Sequence, residues 1–183
     1  APGGVKGVIK WMRTRRKNSS GIPADEPLRR MSESVKIVER SDKLRVTGIG
    51  HSSFLIQCDG VNLLTDPMWS SRASPVQFAG PRRLVPPAIR LEELPPIDVT
   101  VMSHDHYDHL DDSTARKLAA RFPAMSWIAP LKVGSFLSRR GAASVVELDL
   151  WEKAGVGDVS IASAPAQHFS GRYPWNRNTT LWC

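Results

Sequence analysis

The stretch "VMSHDHYDHL", from Val101 to Leu110, holds three of the chain's five histidines within six residues. It continues the apolar run "IDVTVMS", which predicts a buried strand. Because side chains two apart on an extended backbone face the same way, His104 and His106 can bind one ion from one side. If the chain then turns toward a helix, Asp108 and His109 lie beside that ion. The stretch therefore predicts a metal site at the end of a buried strand.

Imidazole nitrogens and carboxylate oxygens at this spacing suit Zn²⁺, and also iron or manganese. Two such ions about 3.5–4 Å apart can share a water molecule and lower its pKa toward about 7, which makes hydroxide available at neutral pH. His168, in "APAQHFSGR" after a predicted strand, is the natural third nitrogen for the ion of His104 and His106. The alternative for each histidine is a surface or core residue without a ligand role. Asp105 and Tyr107 are expected to point away, unless Asp105 accepts a hydrogen bond from an imidazole.

The remaining pattern predicts a mixed α/β sheet with helices on its outer face. Before the metal stretch, strands are predicted in residues 44–50, 53–60 and 61–67, with Asp59-Gly60 as a hairpin turn. A loop with seven prolines follows in residues 66–97. After the metal stretch, helices are predicted for "DSTARKLAARF" and "LKVGSFLSRR", and strands for "MSWIA", "SVVELDL" and "DVSIASAP". The final "NTTLWC" is expected to open a further strand.

The net charge of +7 is distributed unevenly along the chain. Residues 1–30 carry a net charge of +6, and the remaining 153 residues carry +1. We therefore divide the chain into a basic N-terminal arm with its linker, residues 1–34, and a folded domain, residues 35–183. In the arm, "VKGVIKWMRTRRK" predicts an amphipathic helix that packs on its own domain or contacts an anionic membrane surface or acidic partner. Nucleic acid is not expected as a partner, because aromatics are few and no binding module is visible.

Composition also limits the compartment in which the protein is expected. No apolar run approaches the roughly 20 residues needed to span a bilayer, and no signal peptide is visible. Cys58 and Cys183 make no disulfide framework. We therefore expect a reducing, cytoplasmic setting, with peripheral membrane contact through the basic arm as a further hypothesis.

The sequence resembles the metallo-β-lactamase fold, whose signature is H-x-H-x-D-H after an apolar strand with a later histidine. Further stretches resemble its N-acyl-phosphatidylethanolamine phospholipase D-like branch, namely "GIGHSSFLIQCDGVNLLTDPMWSSRASP", "GPRRLVPPAI", "LEELPPIDVTVMSHDHYDHLD", "VVELDLWE" and "PAQHFSGR" with "NRNTTLWC". The resemblance runs from about residue 44 to the end. It implies an αββα sandwich with a dinuclear zinc site between its sheets. It also implies that domain 35–183 is truncated, lacking the C-terminal half of the fold with a bridging aspartate and a last histidine.

The resemblance implies two sets of metal ligands: His104, His106 and His168 on one zinc ion, and Asp108 and His109, the expected catalytic pair, on the other. Asp66, in "LTDP", ends a strand that runs beside the site in this family. We expect it to support the ligands, with turn or helix capping as the alternative. His51, in "GIGHSS", is either a supporting polar residue near the site or a plain loop histidine.

The implied function is a zinc-dependent hydrolase, a phosphodiesterase of the phospholipase D type that uses metal-bound hydroxide on N-acyl-phosphatidylethanolamine-like lipids. Two alternatives stay open: a lactone-opening hydrolase on the same scaffold, or a truncated chain that binds metal or a partner without catalysis. A phospholipid or another phosphodiester is the expected partner, and the pattern indicates no oligomeric state. In the proline-rich loop, Arg72, Arg82 and Arg83 are either phosphate contacts or solvated arginines.

Overall fold

The computed structural model describes residues 37–173 and 175–183. The basic arm and linker, residues 1–34, lie outside the described residues, and so does the amphipathic helix predicted there. Among the residues that are described, no helix combines the length and the apolar character that a membrane crossing requires.

A six-stranded sheet forms the centre of the described chain, with strands in the order β1-β2-β3-β4-β5-β6. The strands are β1 (Arg45–Gly50), β2 (Ser53–Cys58), β3 (Val61–Thr65), β4 (Val99–Val101), β5 (Ser126–Pro130) and β6 (Ser144–Leu148). The first three pair antiparallel, and β3 to β6 run parallel. Asp59 and Gly60 both adopt positive φ, 48° and 71°, between β2 and β3. Such a turn matches the right-handed twist of the strands, and the predicted hairpin is present.

Two α-helices connect the parallel strands, α1 (Asp112–Arg121) between β4 and β5 and α2 (Gly134–Ser138) between β5 and β6. The N-cap residue of α1, Asp111, accepts hydrogen bonds from the Ser70 backbone N–H at 2.9 Å and the Thr114 hydroxyl at 2.5 Å. The helix ends before Pro123, as predicted, because proline disfavours helical conformation in the residue before it. The proline-rich loop contains one 3₁₀ turn, Leu91–Glu93.

Both faces of the sheet are packed, because alternate strand residues point to opposite sides. Leu64 and Trp127 lie in the larger core, which includes Leu118 of α1 and Leu137 of α2. Their neighbours along the strands, such as Leu63, face a smaller core on the other side. There they contact a separate two-stranded hairpin, β7 (Lys153–Val156) and β8 (Val159–Ala162).

Two elements at the end of the chain differ from the sequence-based expectation. Strand β7 was not predicted, because "KAGV" contains lysine and glycine and lacks the apolar run that marks a strand. The predicted strand in "NTTLWC" is not formed among the described residues. Instead, single backbone hydrogen bonds join Leu181 to the Leu131 carbonyl at 3.0 Å and Cys183 to the Ser103 carbonyl at 3.1 Å. Isolated bonds of this kind fix the position of the segment but do not form the series of hydrogen bonds that pairs a strand with a sheet.

The topology brings the ends of three strands, β1, β3 and β4, to one edge of the sheet. Strands β3 and β4 are parallel, so Asp66 after β3 lies near the stretch that follows β4. Strand β1 is antiparallel to β2, which is antiparallel to β3, so β1 also ends at this edge. The turn after β1 contains His51. Ligand sites in parallel sheets form at the carboxyl ends of strands for the same geometric reason.

Candidate metal centre

The predicted ligands of "VMSHDHYDHL" lie in a tight loop between β4 and α1. The His106 carbonyl accepts backbone N–H bonds from His109 at 3.1 Å and Leu110 at 2.7 Å, which closes a turn. Met102 donates its N–H to the Ile128 carbonyl at 2.9 Å, so the start of the loop stays tied to β5. The turn explains how residues from one short stretch divide between two neighbouring groups of ligand atoms.

The first group, called here the three-histidine group, contains His104, His106 and His168. His104 Nε2 lies 2.9 Å from His106 Nδ1, and His168 Nε2 lies 3.1 Å and 3.2 Å from these two nitrogens. Zinc–nitrogen bonds of about 2.0–2.1 Å in a tetrahedral site place ligand atoms about 3.3 Å apart. The triangle of nitrogens is therefore close to the size that one zinc ion requires.

Hydrogen bonding alone does not explain the triangle. Each imidazole nitrogen is either a donor or an acceptor, so among three mutual neighbours at least two are of the same kind. One of the three contacts must then be repulsive unless a cation lies among the lone pairs. The donor set and its spacing thus fit a metal ion.

The charge state of the buried member also favours a cation. Burial lowers the pKa of His104 to about 3, and the nearby imidazoles of His109, His106 and His168 act in the same direction. Burial also lowers the pKa of His106. Both rings are therefore neutral at neutral pH, and a neutral imidazole is the form that binds a metal.

The second group, called here the Asp108 group, contains His51, Asp108 and His109. Asp108 Oδ2 lies 3.1 Å from His51 Nε2 and 3.9 Å from His109 Nε2. His109 also links the two groups, because its ring centroid is 4.1 Å from that of His104. Two groups of candidate ligand atoms therefore lie side by side at the same edge of the sheet.

Asp66 orients one histidine of each group through a hydrogen-bond network. Its carboxylate oxygen Oδ2 lies 2.8 Å from His109 Nδ1 and accepts the Ser103 hydroxyl at 2.7 Å. Since the Ser103 hydroxyl donates its only proton to Asp66, it accepts the Nδ1–H of His104, at 2.8 Å. Both rings then carry the proton on Nδ1 and leave Nε2 free as a ligand atom. The capping alternative for Asp66 does not describe these contacts.

The same network shifts the pKa of His109 in the opposite direction from that of His104. Burial opposes its protonated form, but the hydrogen bond that His109 donates to Asp66 and the charges of Asp66 and Asp108 outweigh burial and raise the pKa of His109. The Asp108 group is also more open to solvent, since His51 is exposed and Asp108 is only partly buried. The two groups therefore differ in the ease with which a proton competes with a metal.

His51 reaches Asp108 from an unusual backbone conformation. It adopts φ 52° in the short turn between β1 and β2, directly after Gly50 at φ 144°. Positive φ costs a non-glycine residue free energy and is concentrated at functional sites. His51 is thus not a histidine on a remote loop, and the structure places it against the predicted ligands.

Several side chains next to the predicted ligands have partners that the sequence did not reveal. Asp105 points away from the ligand nitrogens, but its carboxylate accepts the Gly171 backbone N–H at 2.7 Å and orients no imidazole. Phe169 packs against the ring of His106, with ring centroids 4.6 Å apart. Ser103 was missed because nothing in the sequence distinguishes a linking serine from the many serines at strand ends. The only available signals were the positions of Ser103 and Phe169 next to predicted ligands.

Two of the three loop arginines bond within their own loop. Arg72 donates to the carbonyls of Gln77 at 3.1 Å and Gly80 at 2.6 Å. Arg83 donates to the Met68 carbonyl and packs against Gly50. Arg82 is exposed. The structure therefore favours a loop-stabilising role for Arg72 and Arg83.

Comparison with known proteins identifies the family of this site. A sequence profile of the "Beta-lactamase superfamily domain" matches residues 61–183, which include both ligand groups except His51. The chain belongs to the metallo-β-lactamase superfamily. This confirms the resemblance and the α/β fold class predicted from the sequence.

Two curated relatives show where this superfamily chain lies among known sequences. The uncharacterized protein Rv0906 of Mycobacterium tuberculosis is 42% identical over 177 residues, 96% of this chain and 46% of the relative. The N-acyl-phosphatidylethanolamine-hydrolyzing phospholipase D 1 of Caenorhabditis elegans is 36% identical over 148 residues, 76% of this chain and 42% of that enzyme. The chain thus spans less than half the length of these two relatives.

A solved structure supports the superfamily assignment at the level of the fold. Igni18, a metallo hydrolase of the archaeon Ignicoccus hospitalis, aligns with a TM-score of 0.52 and 25% identity. The alignment covers 69% of this chain and 50% of Igni18. The expectation that the chain comes from a family of metal-dependent hydrolases is confirmed.

Proposed function

We propose that the full-length gene product is a dinuclear zinc phosphodiesterase of the phospholipase D type, acting on N-acyl-phosphatidylethanolamine-like lipids. The observation that carries the metal part of this proposal is the triangle of imidazole nitrogens, 2.9–3.2 Å apart, beside the Asp108 group. Bound zinc ions would supply Lewis acidity and an activated water at neutral pH. The chemistry of the donors also permits iron or manganese.

In this proposal each residue of the centre has a defined part. The three-histidine group holds the first ion, and Asp108 and His109 hold the second and form the catalytic pair. Asp66 keeps the protons of His104 and His109 on Nδ1, so that their Nε2 atoms face the ions. His51 orients the carboxylate of Asp108 through its 3.1 Å contact.

The lipid part of the proposal is supported by the relatives. The Caenorhabditis elegans relative is named for the hydrolysis of N-acyl-phosphatidylethanolamine, and its match covers 76% of this chain. A mitochondrial phospholipase D of Saccharomyces cerevisiae, named for the same activity, is 31% identical over 141 residues. We extend this substrate class to the present protein because the two matches cover 76% and 75% of the chain.

We also propose that the basic arm, residues 1–34, brings the enzyme to an anionic membrane surface. Residues 1–30 carry a net charge of +6, and each basic residue near an anionic surface contributes about 1 kcal/mol. We expect full-length protein to bind vesicles that contain phosphatidylserine and to leave them at high salt. Equal binding to vesicles of neutral phosphatidylcholine would contradict this role.

The decisive experiment is a comparison of substrates with the zinc-loaded, full-length gene product. We expect N-acyl-phosphatidylethanolamine in mixed micelles to yield phosphatidic acid and N-acylethanolamine, and a chelator to stop this reaction. Hydrolysis of a lactone without any phosphodiester turnover would instead support the lactonase alternative. Metal binding with no turnover of either substrate, or of bis(p-nitrophenyl) phosphate, would support a non-catalytic protein.

A further inference from the structure

One ligand of the three-histidine group comes from a distant part of the chain. His104 and His106 share the loop after β4, whereas His168 is 62 residues beyond His106. The His168 side chain is exposed, and its ring packs against the rings of His104, His106 and Phe169. The position of His168 therefore depends on how its segment is attached to the ligand loop.

Arg172 and Asp105 make that attachment. Arg172 Nη1 donates to the carbonyls of Asp105 at 2.8 Å and Leu110 at 2.6 Å, at the two ends of the ligand loop. In the opposite direction, the Asp105 carboxylate accepts the Gly171 backbone N–H at 2.7 Å. Asp105 is only 4% exposed, so this bond is formed away from solvent. Donors and acceptors on both segments thus cross-link them at three points.

Two aromatic rings pack against the Arg172 guanidinium in this attachment. The Arg172 guanidinium carbon lies 4.1 Å from the ring centroid of Tyr107 and 4.4 Å from that of Phe136 in α2. A guanidinium over aromatic faces is attracted electrostatically, and more so when it is partly desolvated. Tyr107, which lies between His106 and Asp108 in the sequence, therefore contributes to the same contact.

The His168 segment is itself stiff, so the attachment at Gly171 and Arg172 is transmitted to His168. Ser170 is fully buried and its hydroxyl donates to the Thr180 carbonyl at 2.7 Å. Gly171 adopts φ 145°, and a Cβ atom there would lie 3.1 Å from Arg177 Cα. Such close packing leaves little freedom between the cross-link and the imidazole three residues earlier.

We propose that Arg172 and Asp105 are positioning residues that set the distance of His168 from His104 and His106, and thereby the metal affinity of the three-histidine group. The proposal rests on the metal site of the proposed function. Neither residue belongs to the three-histidine group or to the Asp108 group. Outer residues that orient ligands commonly change metal affinity by about 10–100-fold when they are removed.

The test measures zinc affinity of the full-length gene product by competition with a chromogenic chelator. Arg172→Met keeps an unbranched aliphatic stem but removes the guanidinium with its donors, and we expect zinc at the three-histidine group to bind about 10–100-fold more weakly. Arg172→Lys keeps a donor and a charge and should restore part of the affinity. The visible spectrum of bound Co²⁺ should change in Arg172→Met, since it reports the arrangement of the ligands.

A second pair of variants tests the link from its other side. Asp105→Asn keeps an oxygen that accepts the Gly171 N–H and should bind zinc nearly as the parent does, whereas Asp105→Ala should resemble Arg172→Met. This pair also decides the outcome if Arg172→Met does not fold. Leu118→Ala serves as a stability control, because it opens a cavity in the core and should lower the melting temperature without lowering zinc affinity.

Two results separate this proposal from the metal site on which it rests. If His106→Ala loses zinc while Arg172→Met and Asp105→Ala bind as the parent does, the positioning role is overturned and the metal site stands. If His106→Ala itself binds zinc normally, the metal site fails and the positioning role fails with it.

Discussion

The three-histidine group and the Asp108 group are neighbours at one sheet edge, but they differ in construction. The first consists of three nitrogens 2.9–3.2 Å apart, with His104 buried and neutral. The second is wider, with 3.9 Å between His109 and Asp108, and its members are exposed or partly buried. Closely spaced imidazole nitrogens favour an ion that is held firmly. A wider, solvent-accessible group with a carboxylate suits an ion that keeps a coordination position open for substrate.

This difference shows how residues of one short loop can contribute to two ligand groups with different exposure. His104 follows the buried strand and is enclosed by other rings, while Asp108 lies within the turn and is partly exposed to solvent. Asp66 is the link between them, because its carboxylate binds Ser103 beside His104 and His109 in the other group. The contrast predicts that changes in the first group remove metal outright, and that changes in the second alter how metal binding responds to protons and solvent.

The largest effect is expected from His106→Ala, which removes one corner of the nitrogen triangle. Zinc affinity of the first group should fall by more than the roughly 10–100-fold that is typical of supporting residues, and metal-dependent turnover should be lost. His106 is partly exposed, so the fold should persist in circular dichroism. Metal analysis after dialysis checks the affinity. Unchanged zinc content would contradict the expectation that the three-histidine group holds the firmly bound ion.

Asp66→Asn should have the next largest effect, because it weakens the orientation of ligands in both groups. An amide cannot accept from both the Ser103 hydroxyl and His109 as strongly as a carboxylate does. We expect about 10–100-fold weaker metal binding, measured by chelator competition. Ser103→Ala is the matched comparison, since it interrupts only the branch toward His104. A loss confined to one group in Asp66→Asn would contradict its role as the link.

A pH titration should separate the two groups without any mutation. A metal ion must displace a proton from an imidazolium, and the raised pKa of His109 makes this harder as the pH falls. The Asp108 group should therefore lose affinity by up to about tenfold per pH unit below the pKa of His109. The three-histidine group should keep more of its affinity as the pH falls, because burial lowers the pKa of His104 and of His106. Zinc content after equilibration at each pH measures this order.

The control for the titration is Asp66→Asn. Loss of the negative charge and of the strong hydrogen-bond acceptor should lower the pKa of His109. The affinity for the second ion, although weaker at neutral pH, should therefore begin to fall with pH only at a lower pH than in the parent. Simultaneous release of both ions at one pH, in the parent protein, would show that the groups do not differ as described.

The smallest effect is expected from His51→Ala. The contact between His51 and Asp108 is solvent-exposed on both sides, and exposed ion pairs typically contribute about 0–1 kcal/mol. Affinity for the second ion should therefore fall by no more than about fivefold, with the first ion unaffected. His51→Gln, which keeps a polar donor, should lie between. Loss of the second ion altogether would mean that His51 binds the metal directly.

The fold followed from the sequence where local signals were strong. Strands β1 to β6, the hairpin at Asp59-Gly60 and the extent of α1 agree with the predicted elements, because apolar runs and turn residues coincide there. Strand β7 was missed, and "NTTLWC" was wrongly expected to form a strand, because both depend on which neighbour is present to pair with them. Pairing is a property of the sheet and leaves little trace in four to six residues of sequence.

The sequence by itself determined where the candidate metal site lies, since His104, His106, Asp108 and His109 stand within six residues and their types suit a metal. Only the tertiary structure decided how these residues are completed. The bond from Asp66 to His109 spans 43 residues and the contact from His168 to His104 spans 64. Such contacts depend on parallel strands ending at one edge and on loops with unusual backbone angles, and neither is encoded by spacing along the chain.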